Sequence, residues 1–234
     1  EIFQQLSLLN LKIYTPTAFI QASKLSKYID PDSKHGKNLS QEGRERGIQH
    51  LMSVNLLKRM ESSVHSFHMT VERIHDHIKS TIKMIEDFEH GIAANTVQEM
   101  HDLLHAEFDL DDQNMDIFNV GKKFRIDLRD MDYLSWKREL QADLEILELL
   151  LLMISDITPE HDFKLCELKR VIAKKQQSQI NPGNKKILIF TAFSDTAEYL
   201  YDHISDYALK EFGIHTALIT GTIDGRTTIP KFPV

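Results

Sequence analysis

Apolar residues recur at helical spacing along two long stretches of this chain. From Met60 to Ile92 they fall at Met60, Val64, Phe67, Val71, Ile74, Ile78, Ile82, Ile85, Phe88 and Ile92, nine steps over 32 residues, a mean of about 3.56. The pattern begins near Ile48, and an unbroken helix from there to His90 would be roughly 65 Å long at about 1.5 Å per residue. So long an amphipathic helix cannot bury its stripe alone and needs a partner along most of its length. The second stretch, Met131–Ser155, supplies one. Its stripe is Trp136, Leu140, Leu144, Leu147, Leu151 and Ile154, and Leu149, Leu150 and Leu152 widen it until the helix reads as buried nearly all round. The two stretches predict an antiparallel helical hairpin.

Around the hairpin the pattern is shorter-ranged. Residues 1–30 read as two short helices split near Thr15-Pro16, with Thr15 as cap and Pro16 at the first helical position. Asp30–Asn38 is a loop rich in turn residues and charge. The acidic connection 93–130 opens with a helix at Thr96–His105, and Gly121–Leu128 has some strand character. Thr158 and Pro159 predict a helix restart after the hairpin, and Asn181–Asn184 a turn. Ile187–Phe190 is a short apolar run that reads as a buried parallel strand. Ser194 or Asp195 then caps a helix from Thr196 to about Phe212, Gly213 ends it, and His215–Ile219 is a second strand. Strand, helix and strand make one βαβ unit, whose loops Thr191–Asp195 and Thr220–Arg226 share a sheet edge where open α/β folds bind ligands. The predicted class is mainly α with a C-terminal α/β part, divided into a helical region, 1–160, and an α/β region, 161–234.

Composition adds little until its distribution is considered. The 234 residues carry a net charge of −7, which argues against indiscriminate nucleic-acid binding. Residues 98–116 hold seven acids and no Lys or Arg, whereas 164–186 hold seven bases against Glu167 alone. One cysteine, Cys166, excludes an internal disulfide, fits a reducing, cytoplasmic setting, and reads as a packing residue. The most apolar run, Leu144–Ile157, is broken by charge and too short to span a bilayer, so no membrane partner is expected.

Three stretches also carry a family resemblance. Ile187–Leu200 with the following helix and Ala217–Gly221 resembles motif IV and the next strand in the second RecA-like lobe of superfamily-two helicases, closest to the Swi/Snf-type ATPases of bacteria. Leu51–Ile74 resembles the helix these proteins place between their lobes, and Asp162–Ile172 the helix leading into the second lobe. The resemblance implies an incomplete RecA-like parallel βαβ unit and a parent protein that binds ATP and magnesium and moves along DNA, with RNA left open. No GxxxxGK[ST] phosphate loop or DExx-type acidic box occurs, so the chain reads as an excised fragment with no catalytic residues. It is expected to be inactive alone, to hold no cofactor itself, and to act beside the missing first lobe.

The candidate site residues follow from charge, loop position and resemblance together. A helix N-terminus after a strand suits a phosphate oxygen, which singles out Thr191, Phe193, Ser194 and Asp195. Thr220, Gly221 and Arg226 stand at the matching positions after the next strand. Lys58 and Arg59 could face phosphates from the inter-lobe helix, and Lys174, Lys175, Lys185 and Lys186 belong to the basic concentration. The plainer interpretations are a core plug and an N-cap for Phe193 and Asp195, and solvated helix turns for the bases. His65, His68, His75 and His77 fall on differing helix faces and read as surface residues. His101–His105 has the spacing of a zinc pair but Asp102 where a Glu is needed and no third ligand. The Asp109–Asp116 run fails the calcium-loop pattern at Asn114 and Val120. No metal site is therefore expected. The contrasting expectation is a helical protein-interaction module, the hairpin docking a partner and the α/β end a small appendage.

Overall fold

The computed structural model describes residues 1–28, 41–91, 126–179, 181–221 and 223–231. It is mainly helical. The elements are α1 (Ile2–Leu8), α2 (Gln41–Ser62), α3 (Val64–Glu89), α4 (Tyr133–Ile154), α5 (Phe163–Gln177), α6 (Ser194–Phe212), β1 (Ala217–Leu218) and β2 (Arg226–Thr227), with short 3-10 turns between them. The chain divides into two units. Among the described residues the first comprises 1–28, 41–58, 69–91 and 126–153, and the second 59–68, 154–179, 181–221 and 223–231. The second unit therefore begins a few residues before the expected boundary at 160. It also takes in ten residues from the end of α2 and the start of α3. The expected helix at Thr96–His105, the His101–His105 pair and the Asp109–Asp116 run lie outside the described residues.

The first unit is built on the expected hairpin. Phe88 meets Tyr133 edge to face at 5.4 Å. Lys137 pairs with Glu89 at 2.8 Å and Glu86 at 3.3 Å, and His75 lies 3.7 Å from Glu148. Numbers falling along α3 as they rise along α4 mean antiparallel helices. The buried stripe of α3 is Val71, Ile74, Ile78, Ile82 and Ile85, as its spacing predicts. That of α4 is Trp136, Leu140, Asp143, Leu147, Leu150 and Ile154. The all-round burial expected of α4 is not found: Leu149 is 40% and Leu152 70% exposed. A helix packed on one side buries about a third of its circumference, whatever the composition of the rest.

Asp143 explains how the N-terminal segment is held. It is 1% exposed, and its carboxylate accepts from the amides of Asn10 at 2.8 Å and Lys12 at 2.7 Å. Between them Leu11 adopts a left-handed conformation, φ 52°, costly for a branched side chain and sustained here by the carboxylate. Burial pushes the Asp143 pKa up, and the amides of Lys12, Asn10 and Leu11 oppose that rise. The indole N–H of Trp136 donates to the Lys12 carbonyl at 3.1 Å. Residues 1–28 hold one α-helix and three 3-10 turns instead of two helices, with Pro16 opening the second turn as expected.

Glu45 is 2% exposed and accepts from the Thr17 amide at 3.1 Å, the Thr17 hydroxyl at 2.5 Å and the Gln41 side chain at 3.2 Å. Burial outweighs these bonds and raises its pKa from 4.5 to about 7. Between those values the folded protein holds a proton that the unfolded chain has released, so this group's stabilisation is full below pH 4.5 and is lost as pH rises to 7. We expect Glu45→Gln to remove that dependence. In urea unfolding, the stability difference should shift by about 3 kcal/mol in favour of the variant between pH 4.5 and 7. A difference that stays constant over that range would show that Glu45 titrates normally.

The second unit departs further from expectation. Ile187–Phe190 is not a strand; Leu188 is 83% and Phe190 90% exposed. An apolar run becomes a strand only when neighbours take its amides and carbonyls, and among the described residues no strand lies beside it. The sheet that is present is antiparallel and two-stranded, pairing Ala217 with Thr227 and Leu218 with Arg226. The core comprises Leu165 and Ile172 of α5 with Tyr199, Ile204 and Ala208 of α6, and Ile187 packs at its margin. Helix α5 starts at Phe163 instead of near Pro159, because Asp162 caps it by accepting from the Lys164 and Leu165 amides. The second Asp162 oxygen accepts from the Tyr199 hydroxyl at 3.0 Å; burial first, and then the Asp162 charge and this bond, raise the Tyr199 pKa. Cys166, expected in the core, is exposed. Gly213 ends α6 in the left-handed conformation, φ 64°, as expected of its position. Among the described residues no helix is long and apolar enough to cross a membrane.

Candidate functional site

The long helix expected from Ile48 to His90 is two helices, broken at Ser63. The Ser63 amide still donates to Arg59 O at 2.9 Å, closing the last turn of α2. Its hydroxyl then accepts from the Ser66 amide at 3.0 Å and caps α3. Consecutive serines are a recognised cause of such breaks, since their hydroxyls compete for helical backbone groups. Ser62 and Ser63 turn their hydroxyls toward Thr196 of α6, at 2.9 and 3.2 Å. Lys164 also donates to the Glu61 carbonyl.

At this break Arg59 meets the start of α6. It is fully buried, and Nη1 donates to Asp195 Oδ2 at 2.6 Å and to Ser66 Oγ at 3.1 Å. The guanidinium carbon lies 4.5 Å from the centre of the Phe193 ring. His65 stacks on Tyr199 at 4.8 Å, and His203 meets the same ring edge-on at 4.6 Å. Burial lowers the His65 pKa, with the Asp195 charge opposing. His65 is exposed, as expected of a surface residue, with its ring laid against Tyr199.

This geometry reassigns several candidate residues. Arg59 cannot face a phosphate backbone, because its charge is enclosed and directed at Asp195. Asp195 is not the N-cap; Phe193 occupies that position without a side-chain cap, and Asp195 lies in the first turn, turned to Arg59. Ser194 is buried beside it. Arg226 opens β2, donates to Asp202 at 2.7 Å and lies over the Tyr201 ring at 4.6 Å. Lys58 is exposed and belongs to the first unit. Lys174, Lys185 and Lys186 are exposed and Lys175 half-buried, while Gln176 ties the end of α5 to the Lys185 carbonyl at 3.1 Å.

One cleft gathers much of the predicted loop pair. Thr191, Phe193 and Ser194 line it together with Thr220, as do Ile189, Phe190, Leu218 and Ile219. Gly221 lies beside it in sequence and is exposed. What this cleft offers a phosphate is neutral: hydroxyls and the first amides of α6. The ATP and magnesium implied by the resemblance do not fit, because the lining contains no lysine, arginine or carboxylate. The four lysines do not line it. Among the described residues no group of three or more His, Cys, Asp or Glu is arranged to hold a metal ion.

Sequence reasoning picked out Arg59, Phe193, Ser194 and Asp195 but missed the junction, because nothing in the sequence pairs them. Ser62-Ser63 before Val64 is a visible cap signal, but nothing local points to Thr196, 133 residues beyond Ser63. The chain matches no family model, no curated protein and no solved structure.

Proposed function

We propose that this chain forms the inter-lobe helical region and the opening part of the second RecA-like lobe of a Swi/Snf-type DNA translocase, contributing backbone contacts and inter-lobe coupling but no catalytic residue. The supporting observation is that all three stretches carrying the resemblance contribute to one unit. Residues 59–68 of the first meet α6 through Arg59–Asp195, and Asp162, opening the second, is bonded to Tyr199 of the third. Stretches separated by about 100 residues in sequence meet through buried polar contacts, as an inter-lobe helix adjoining a second lobe should. In this reading Lys174, Lys175, Lys185 and Lys186 meet phosphates, and the Thr191–Ser194 and Thr220–Gly221 loops lie against the strand.

The test is binding of a labelled duplex across a salt series. Affinity should fall with salt, and reversing the four lysines to glutamate should weaken it at least tenfold. The slope of log K against log salt should also flatten, by about 0.9 for each phosphate that is no longer neutralised. Retained affinity and slope after reversal would remove the lysines from the interface. DNA-stimulated ATP hydrolysis by this chain alone would overturn the non-catalytic assignment.

The exposed face of α4 favours a second reading, a helical interaction module. Leu134, Leu149 and Leu152 are 59%, 40% and 70% exposed. Wild-type protein that ignores DNA at low salt but self-associates with concentration would support the module instead.

A further inference from the structure

We propose that Arg59 is a positioning residue for the start of α6, acting through Asp195 and Phe193. The N-cap residue of α6, Phe193, makes no side-chain cap bond. Arg59 reaches it from 136 residues away with two distinct contacts. Its charge holds Asp195, in the first turn, at 2.6 Å. Its guanidinium carbon lies over the ring of Phe193, the residue before the helix, 4.5 Å from the ring centre. A third contact comes from Ser62 and Ser63 through Thr196. The ion pair holds the first turn and the cation–π contact holds the residue before it; two restraints on either side of the helix start limit where the first amides of α6 point. A buried ion pair stabilises no better than a well-packed apolar pair would, so geometry is the simpler account of its presence. The consequence for strand binding rests on the role proposed above for the Thr191–Ser194 loop; the positioning itself does not.

Hydrogen exchange on the full chain separates positioning from general support. In Arg59→Met, exchange across residues 191–199 should accelerate at least tenfold more than across residues 165–172 of α5. Arg59→Lys, which keeps the charge and loses the guanidinium over Phe193, should recover part of the difference. Equal acceleration of both segments would overturn the proposal and leave Arg59 a structural residue. If Arg59→Met does not fold, Arg59→Lys against wild type decides by the same comparison. A second arm uses the labelled duplex under conditions where circular dichroism shows the variant folded. Binding at least tenfold weaker than wild type supports the proposal, and equal binding overturns the consequence for the strand. If the wild type binds no duplex, the nucleic-acid reading fails and the exchange result still decides the positioning.

Discussion

Asp195→Ala is expected to destabilise the second unit by about 3–5 kcal/mol, the cost of leaving one member of a buried ion pair without its partner. The side chains are 0% and 9% exposed for Arg59 and Asp195, so water cannot replace the missing carboxylate. Arg59 would keep its bond to Ser66 and its stacking on Phe193, which cannot neutralise an enclosed charge. The only tryptophan, Trp136, lies in the first unit, so its fluorescence and the far-ultraviolet dichroism can be followed separately in urea. The dichroism should acquire an earlier transition while the fluorescence midpoint moves less. A loss below about 1 kcal/mol would mean that the junction opens to solvent and that the pair is worth no more than a surface one.

Trp136→Ala should cost about 3–5 kcal/mol in the first unit, the range for removing a fully buried large aromatic side chain. Two effects add here. The indole packs at the base of α4, its ring centre 6.5 Å from that of Phe19, and its N–H adds a second bond to the Lys12 carbonyl beside the strained Leu11. Trp136→Phe separates them, keeping most of the packing and removing the indole bond while the Thr15 amide still donates to the Lys12 carbonyl at 3.2 Å, and should cost about 0.5–1.5 kcal/mol. Dichroism measures both variants, since neither retains the fluorescent indole. Equal costs for Ala and Phe would place the whole effect in the hydrogen bond. A negligible cost for Phe would place it in the packing.

The hairpin was legible because a repeated signal of period 3.6 survives any one exception. Ile74, Ile78, Ile82 and Ile85 are buried where the spacing puts them. Asp143 was the exception that the pattern could not interpret. A polar residue in an apolar stripe carries no information about the amides it will meet at Asn10 and Lys12. The break at Ser63 was half legible: the caps were there to read, but a continuous apolar period across them argued for one helix. Hydroxyl partners from α6 accompany the break, and those partners are distant in sequence.

At the candidate site the contrast is sharper. Gly213 could be placed as the end of α6 because a left-handed residue is a local requirement. Arg59 and Asp195 could be picked out but not paired, and their solitary reading, as a surface base and a helix cap, put a buried residue on the surface. Ile187–Phe190 shows the opposite dependence. Its apolar content was read from the chain, but a strand requires hydrogen-bonding neighbours, and the composition of a segment does not supply them.

By itself, then, the sequence determined the elements whose cause is local: the helical stripes and the Pro16 and Gly213 boundaries. The tertiary structure alone decided which charges face water and which face each other. The free energy of a buried charge depends on whatever encloses it, and the carboxylate that answers Arg59 is 136 positions away.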